Sequence, residues 1–109
     1  MNKSKLEEMA VTAFENVQSA RNDLYLAAEL TISCAQVLDD DKNSATVAGK
    51  FDGKNEETRK AQAREFLSAQ YSDLAEAQRK ERQADFKFHR AQTDVDTVKT
   101  LLRIAELAE

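Results

Sequence analysis

Apolar residues recur along the start of the chain at Leu6, Ala10, Ala13, Val17, Ala20, Leu24, Ala27, Cys34 and Leu38. The steps of three and four place them on one side of an α-helix, interrupted only by Thr31. Ser4-Lys5-Leu6-Glu7 has the form of a capping box: a hydroxyl to accept from the free N–H groups of the first turn, and a carboxylate three residues on. The pattern predicts helix one from about residue 4 to about Leu38. Asp39-Asp40-Asp41 would then meet the negative end of the helix macrodipole, so residues 39–54 read as a linker. Ala45 to Ala48 can add a further turn, stopped by Gly49, so the end of helix one stays open between residues 39 and 48.

The chain has two glycines, Gly49 and Gly53, and both fall in this break. Asp52-Gly53 is a turn dipeptide in which glycine can supply positive φ. Asn55 is a good N-cap, and Glu56 and Glu57 place negative charge on a first turn that favours it. From Asn55 to about Ala108 nothing forbids helix, which gives a rod of roughly 80 Å. Two interleaved seven-residue ladders run along it. One holds Ala63, Ala77, Ala84, Ala91, Val98 and Ala105, with Gln70 as its exception. The other holds Leu67, Leu74, Phe88, Val95 and Leu102, with Glu81 as its exception. Small residues at every seventh place also mark helix one, at Ala13, Ala20, Ala27 and Cys34. Such a seam lets two helix axes approach closely. The expected fold is all-α: one domain over residues 1–109, an antiparallel, coiled-coil-like helical hairpin with an alanine-rich seam.

Helix one has a second apolar side at Val11, Phe14, Tyr25, Ala28, Ile32 and Ala35, with Gln18 and Arg21 as polar gaps. One partner helix cannot cover both sides. If helix one stops at Leu38, helix two also overhangs it by roughly 15 to 20 residues at equal rise. That end carries Val95, Val98, Leu101, Leu102, Ile104, Ala105 and Leu107. Full burial of each large apolar side chain contributes about 1.5–3 kcal/mol, so leaving several open forgoes much of a small domain's stability. The expectation is a homo-oligomer, in the simplest case a dimer forming a four-helix bundle. Its expected interface is Val11, Phe14, Tyr25, Ile32, Val98, Leu101 and Ile104.

Composition fits long helices: 109 residues, 41% apolar and 33% charged, with no proline or tryptophan. Net charge is −4, which argues against a general nucleic-acid binder. The acidity is local: residues 1–52 hold five basic and nine acidic side chains, and residues 53–109 hold eleven of each. Lone Cys34 excludes an intrachain disulfide and fits a reducing cytoplasm. No signal-like apolar segment opens the chain, and no run approaches the roughly 20 residues of a membrane span. A cytoplasmic protein is expected.

Motifs for chemistry are poor. Gly49 to Asn55 has three residues between its glycines where a phosphate-binding loop needs four, and Asn55 replaces the magnesium-binding hydroxyl. Asp39, Asp41 and Asn43 open like a calcium loop, but Ser44 and Lys50 stand where the turn glycine and closing glutamate belong. His89 is the only histidine, with Asp85 one turn before it, so a solvent-facing pair is the simpler reading. These absences point away from an enzyme, a metal site or a cofactor. Arg79, Arg82, Lys87 and Arg90 make a basic stretch around Phe86 that could track phosphates. Interspersed Glu76, Glu81 and Asp85 make a salt-bridged exterior the plainer account.

Residues 53–109, from Gly53-Lys54-Asn55-Glu56-Glu57-Thr58-Arg59 through an Ala/Glu/Arg-rich helix to Leu101-Leu102-Arg103-Ile104-Ala105, resemble small uncharacterised proteins of tailed phages and prophages. That resemblance implies a phage origin and an accessory role, sometimes among replication or recombination genes, and implies no catalytic residue. The expected function is a non-catalytic helical interaction or assembly protein that binds a host or phage macromolecule. The alternative is a nucleic-acid-handling accessory using Arg79, Arg82, Lys87 and Arg90.

Overall fold

Asn2 begins the first helix, where Ser4 was the expected cap. Its side-chain oxygen accepts from the Lys5 N–H at 2.8 Å, the reach of an N-cap residue to the third helical position. The computed structural model describes residues 2–108. Helix α1 spans Lys3–Val47, α2 spans Glu56–Phe66 and α3 spans Ser68–Ala108, with no strand among the described residues. The chain is an all-α helical hairpin.

Helix α1 therefore runs on well past Leu38. The residues expected to start a linker are helical, and the reason lies on the facing helix. The seam of α1 extends from Leu38 to Asp41 and on to Ala45. Ala45 is buried, and Asp41, half-buried, accepts a hydrogen bond from Gln70 Nε2 at 2.9 Å. The carboxylate that looked like a helix stop is held by a partner 29 residues away. Beside it, Gln36 Nε2 donates to Asp40 one turn on, at 3.0 Å. With 45 residues in α1 and 41 in α3, the premise of a long overhang falls.

The helix ends one turn later in a Schellman motif. Gly49 N–H donates to the Thr46 carbonyl at 3.1 Å, and Lys50 N–H to the Ala45 carbonyl at 3.0 Å. Gly49 has φ +74°, a conformation an L side chain rarely adopts. Gly53 is needed for a different reason from the expected one. It lacks positive φ, but a Cβ there would come within 2.6 Å of Thr58 Cγ2 and 3.1 Å of Arg59 N.

The link back is tied to α2 by side chains. Gly53 N–H donates to Gln62 Oε1 at 2.9 Å, Gln62 Nε2 donates to Asp52 at 2.9 Å, and Arg59 donates to the Gly53 carbonyl at 3.0 Å. Phe51 packs edge-on against Phe66, ring centres 6.1 Å apart. Asn55 caps α2 as expected, accepting from Thr58 N–H at 2.8 Å, with Glu56 and Glu57 in the first turn. Helix two is interrupted once, at Leu67, which separates α2 from α3. Leu67 N–H still reaches the Ala63 carbonyl and its own carbonyl still accepts from Tyr71, so helical spacing is kept across the break.

Two compact units are distinguished among the described residues, one within 2–26 and 82–108 and the other within 27–81. In the first, Ala13, Val95 and Val98 form a buried cluster, with Met9, Ala10, Val17 and Leu102 packed on it. Leu6 and Ala91 are also buried there. In the second, Ala45, Ala63, Leu67 and Ala77 are buried. Both helix-two ladders lie inward along their length, the polar exceptions Gln70 and Glu81 included. Thr31, the interruption on α1, is half-buried because its hydroxyl donates back to the Ala27 carbonyl at 3.2 Å.

Candidate functional site

The expected interface residues do not form one surface. Val98 is 7% exposed and belongs to the hairpin core, so it is removed from any interface. Its place on the alanine ladder left no side chain to offer a partner. The others remain open: Tyr25 and Ile32 are each 62% exposed and Ile104 is 58% exposed, with Val11, Phe14 and Leu101 also on the surface.

In the first unit these residues divide between two grooves. One, of about 420 Å³, is lined by Phe14, Val17, Arg21, Gln92, Val95, Asp96 and Lys99. Here the apolar stripe of α1 stands beside a polar edge of α3, and an aromatic ring on each helix already has a cation. Lys99 Nζ lies 5.6 Å from the Phe14 ring centre, and the Arg21 guanidinium 5.6 Å from that of Phe88. Such contacts contribute about 0.5–1 kcal/mol at exposed sites. Arg21, a gap in the apolar stripe, is thus a cover for Phe88.

The other groove, of about 450 Å³, has Met9, Ala13 and Val98 in its lining, with Lys5, Thr12, Asn16, Asp94 and Thr97 around them. Leu101 and Ile104 follow Thr97 by four and seven residues, so they stand on this side. Leu101 and Ile104 therefore look away from Phe14. On the same flank of α1, Leu26 is exposed. Its position along the chain gave no sign of this, since Ser19 and Asp23, two turns and one turn before it, are polar.

The second unit has its own open apolar groups: Leu30, Ile32, Val37, Val47 and Phe66. A small cavity of about 140 Å³ there is lined by Ser33, Cys34, Val37, Gln70 and Asp73. Cys34 is a half-buried free thiol in the seam.

The basic residues are placed unequally. Arg79 is engaged: its Nε and Nη2 donate to Glu76 at 2.9 and 2.5 Å. The guanidinium bonded to it holds the Glu76 carboxyl below its ordinary range, and the carboxylate in turn raises Arg79. Arg82, Lys87 and Arg90 are exposed and make no ion pair among the described residues. At about 100° per residue, Arg82 and Arg90 flank Phe86 on the outward side of α3, while Lys87 is turned about 140° from Arg82. Phe86 itself is open to solvent. His89 Nδ1 donates to the Asp85 carbonyl at 2.9 Å and lies 3.5 Å from its carboxylate, both side chains exposed.

No described helix is long and apolar enough to cross a membrane. Residues 39–47 are helical and offer no loop to wrap a cation. No known protein family matches the chain, and it has no match among curated proteins or solved structures, so its function is argued from these surfaces alone.

Proposed function

We propose that this protein is a non-catalytic helical assembly protein, self-associating as a dimer, that acts by binding another macromolecule. One observation carries the reading: Tyr25, Ile32, Leu101 and Ile104 all remain on the surface of the single hairpin. Leu101 and Ile104 stand three residues apart on one side of α3, and exposed large apolar groups clustered in this way support an interaction site. The continuation of α1 to Val47 removes the argument from overhang but leaves these groups uncovered. The resemblance of residues 53–109 to small phage and prophage proteins supports an accessory role in a bacterial cytoplasm.

The test has two parts. Sedimentation at low micromolar concentration should give a dimer. Immobilised wild-type protein should then retain a host or phage macromolecule that a Tyr25→Ser/Ile32→Ser variant of equal helicity does not. A monomer that retains the same material as its variant defeats the reading.

A second reading, a nucleic-acid-handling accessory, is favoured by exposed Phe86 between Arg82 and Arg90, which make no ion pair among the described residues. It requires single-stranded DNA binding that weakens steeply with salt and is lost in an Arg79/Arg82/Arg90 triple alanine variant. Absence of binding at low salt removes it.

A further inference from the structure

Within the first unit, one flank of α1 presents Met9, Asn16 and Asp23 at seven-residue spacing, and the neighbouring flank of α3 presents Lys87, Asp94 and Leu101 at the same spacing. Met9, Asn16 and Asp94 line the 450 Å³ groove. The two rows run in opposite directions. Ala13 packs with Val98 in the seam, so Met9 is nearly level with Leu101, Asn16 with Asp94 and Asp23 with Lys87. At each level the two sides match in chemistry: apolar with apolar, amide with carboxylate, acid with base.

We propose that this groove is the face on which a second copy of the chain docks, about a two-fold axis parallel to the helices. Such an axis preserves height along the helices, and it lays α1 of each copy antiparallel to α3 of the other. Met9 of each copy then meets Leu101 of the other, Asn16 meets Asp94, and Asp23 meets Lys87. Every pairing occurs twice, as two-fold symmetry demands. Ile104 adds apolar area at the end where Met9 and Leu101 meet.

Charge selects this arrangement over its rivals. A two-fold axis perpendicular to the helices, placed at the middle of the same face, sets Met9 against Asp23, Leu101 against Lys87 and Asp94 against its own copy. The opposite groove fits worse still. There the apolar row of α1 would meet Gln92, Asp96 and Lys99, and Phe14 is already covered by Lys99. Asp23 and Lys87 have no ion-pair partner among the described residues, so both are available for pairing between copies.

This inference rests on the self-association proposed above, and the experiment separates the two. Asp23→Lys and Lys87→Asp are made singly and studied by sedimentation and by native mass spectrometry of mixtures, with circular dichroism as the check on folding. Both positions are exposed, so the fold should persist. Each single reversal places like charges together twice and should weaken the dimer about tenfold or more at low salt. An equimolar mixture of the two variants should restore it as a heterodimer, because each pairing then becomes acid with base again. Asp96→Lys, in the other groove, should leave the dimer unchanged. A wild-type dimer that neither reversal weakens, or whose weakened variants fail to recover on mixing, overturns this face and leaves self-association standing. A wild type that stays monomeric overturns both.

Discussion

Asp41 and Gln70 are polar residues in otherwise apolar seams, and they hydrogen-bond to each other at 2.9 Å. Removing either partner should destabilise the hairpin. Removing both should cost less than the sum. A hydrogen bond to a charged group contributes about 1.5–3 kcal/mol net when well buried. Both side chains are half-buried, so water can replace part of what is lost, and a coupling of about 1 kcal/mol follows from the lower end of that range. For a chain near 100 residues this corresponds to a shift of about 4–8 °C in Tm. The assay is a double-mutant cycle of Asp41→Ala and Gln70→Ala, each variant unfolded in urea and followed by helical circular dichroism. Asp41 lies inside α1, before the last turn in which the macrodipole acts, so each single value contains little charge–dipole contribution and the cycle cancels the remainder. A coupling below about 0.3 kcal/mol would refute the claim that this pair ties the far part of α1 to α3. Replacing both with leucine should be neutral or stabilising, at some loss of register specificity, as with polar residues in coiled-coil seams.

Other outcomes are equally definite. Leu67→Ala, at a side chain 2% exposed, should cost about 2–4 kcal/mol, whereas Leu107→Ala, at 82% exposure, should stay within about 0.5 kcal/mol in the monomer; chemical unfolding separates them. Gly49→Ala should cost about 1–2 kcal/mol for its positive φ, and Gly49→Asn less, by the same measurement. Gly53→Ala should destabilise through contact with Thr58, and Gly53→Ala/Thr58→Ser should recover part of the loss. Because the Glu76 carboxyl is held below its unfolded value by the Arg79 hydrogen bond, its contribution is present above that value and is lost as pH falls through the folded one. Glu76→Gln should therefore be less stable than wild type at neutral pH and equal to it in strong acid, as pH-dependent melts will show.

The seams were legible from spacing because burial obeys the three-four rhythm: every ladder residue of helix two, Gln70 and Glu81 among them, lies inward. Asn55 was legible because capping is local chemistry. The end of α1 was not. Three aspartates together read as a stop when only nearest neighbours are considered, and the group that accommodates Asp41 lies on another helix. Gly53 misled for a similar reason, since its need is space beside Thr58 and not backbone sign. The interface list failed at Val98 and in its unity. A residue on the seam cannot also face a partner, and Phe14 and Leu101 fall on opposite sides once the seam sets the rotation of both helices. The interruption at Leu67 has no breaker residue to announce it.

The proposed dimer would cover greasy groups that the hairpin's own two arms leave exposed. Sedimentation equilibrium across the micromolar range, at neutral pH and moderate salt, tests this most directly. A reversible species of about twice the 12.3 kDa chain mass is expected, with helicity unchanged on dilution. A single 12.3 kDa species at every concentration, fully helical, would contradict it.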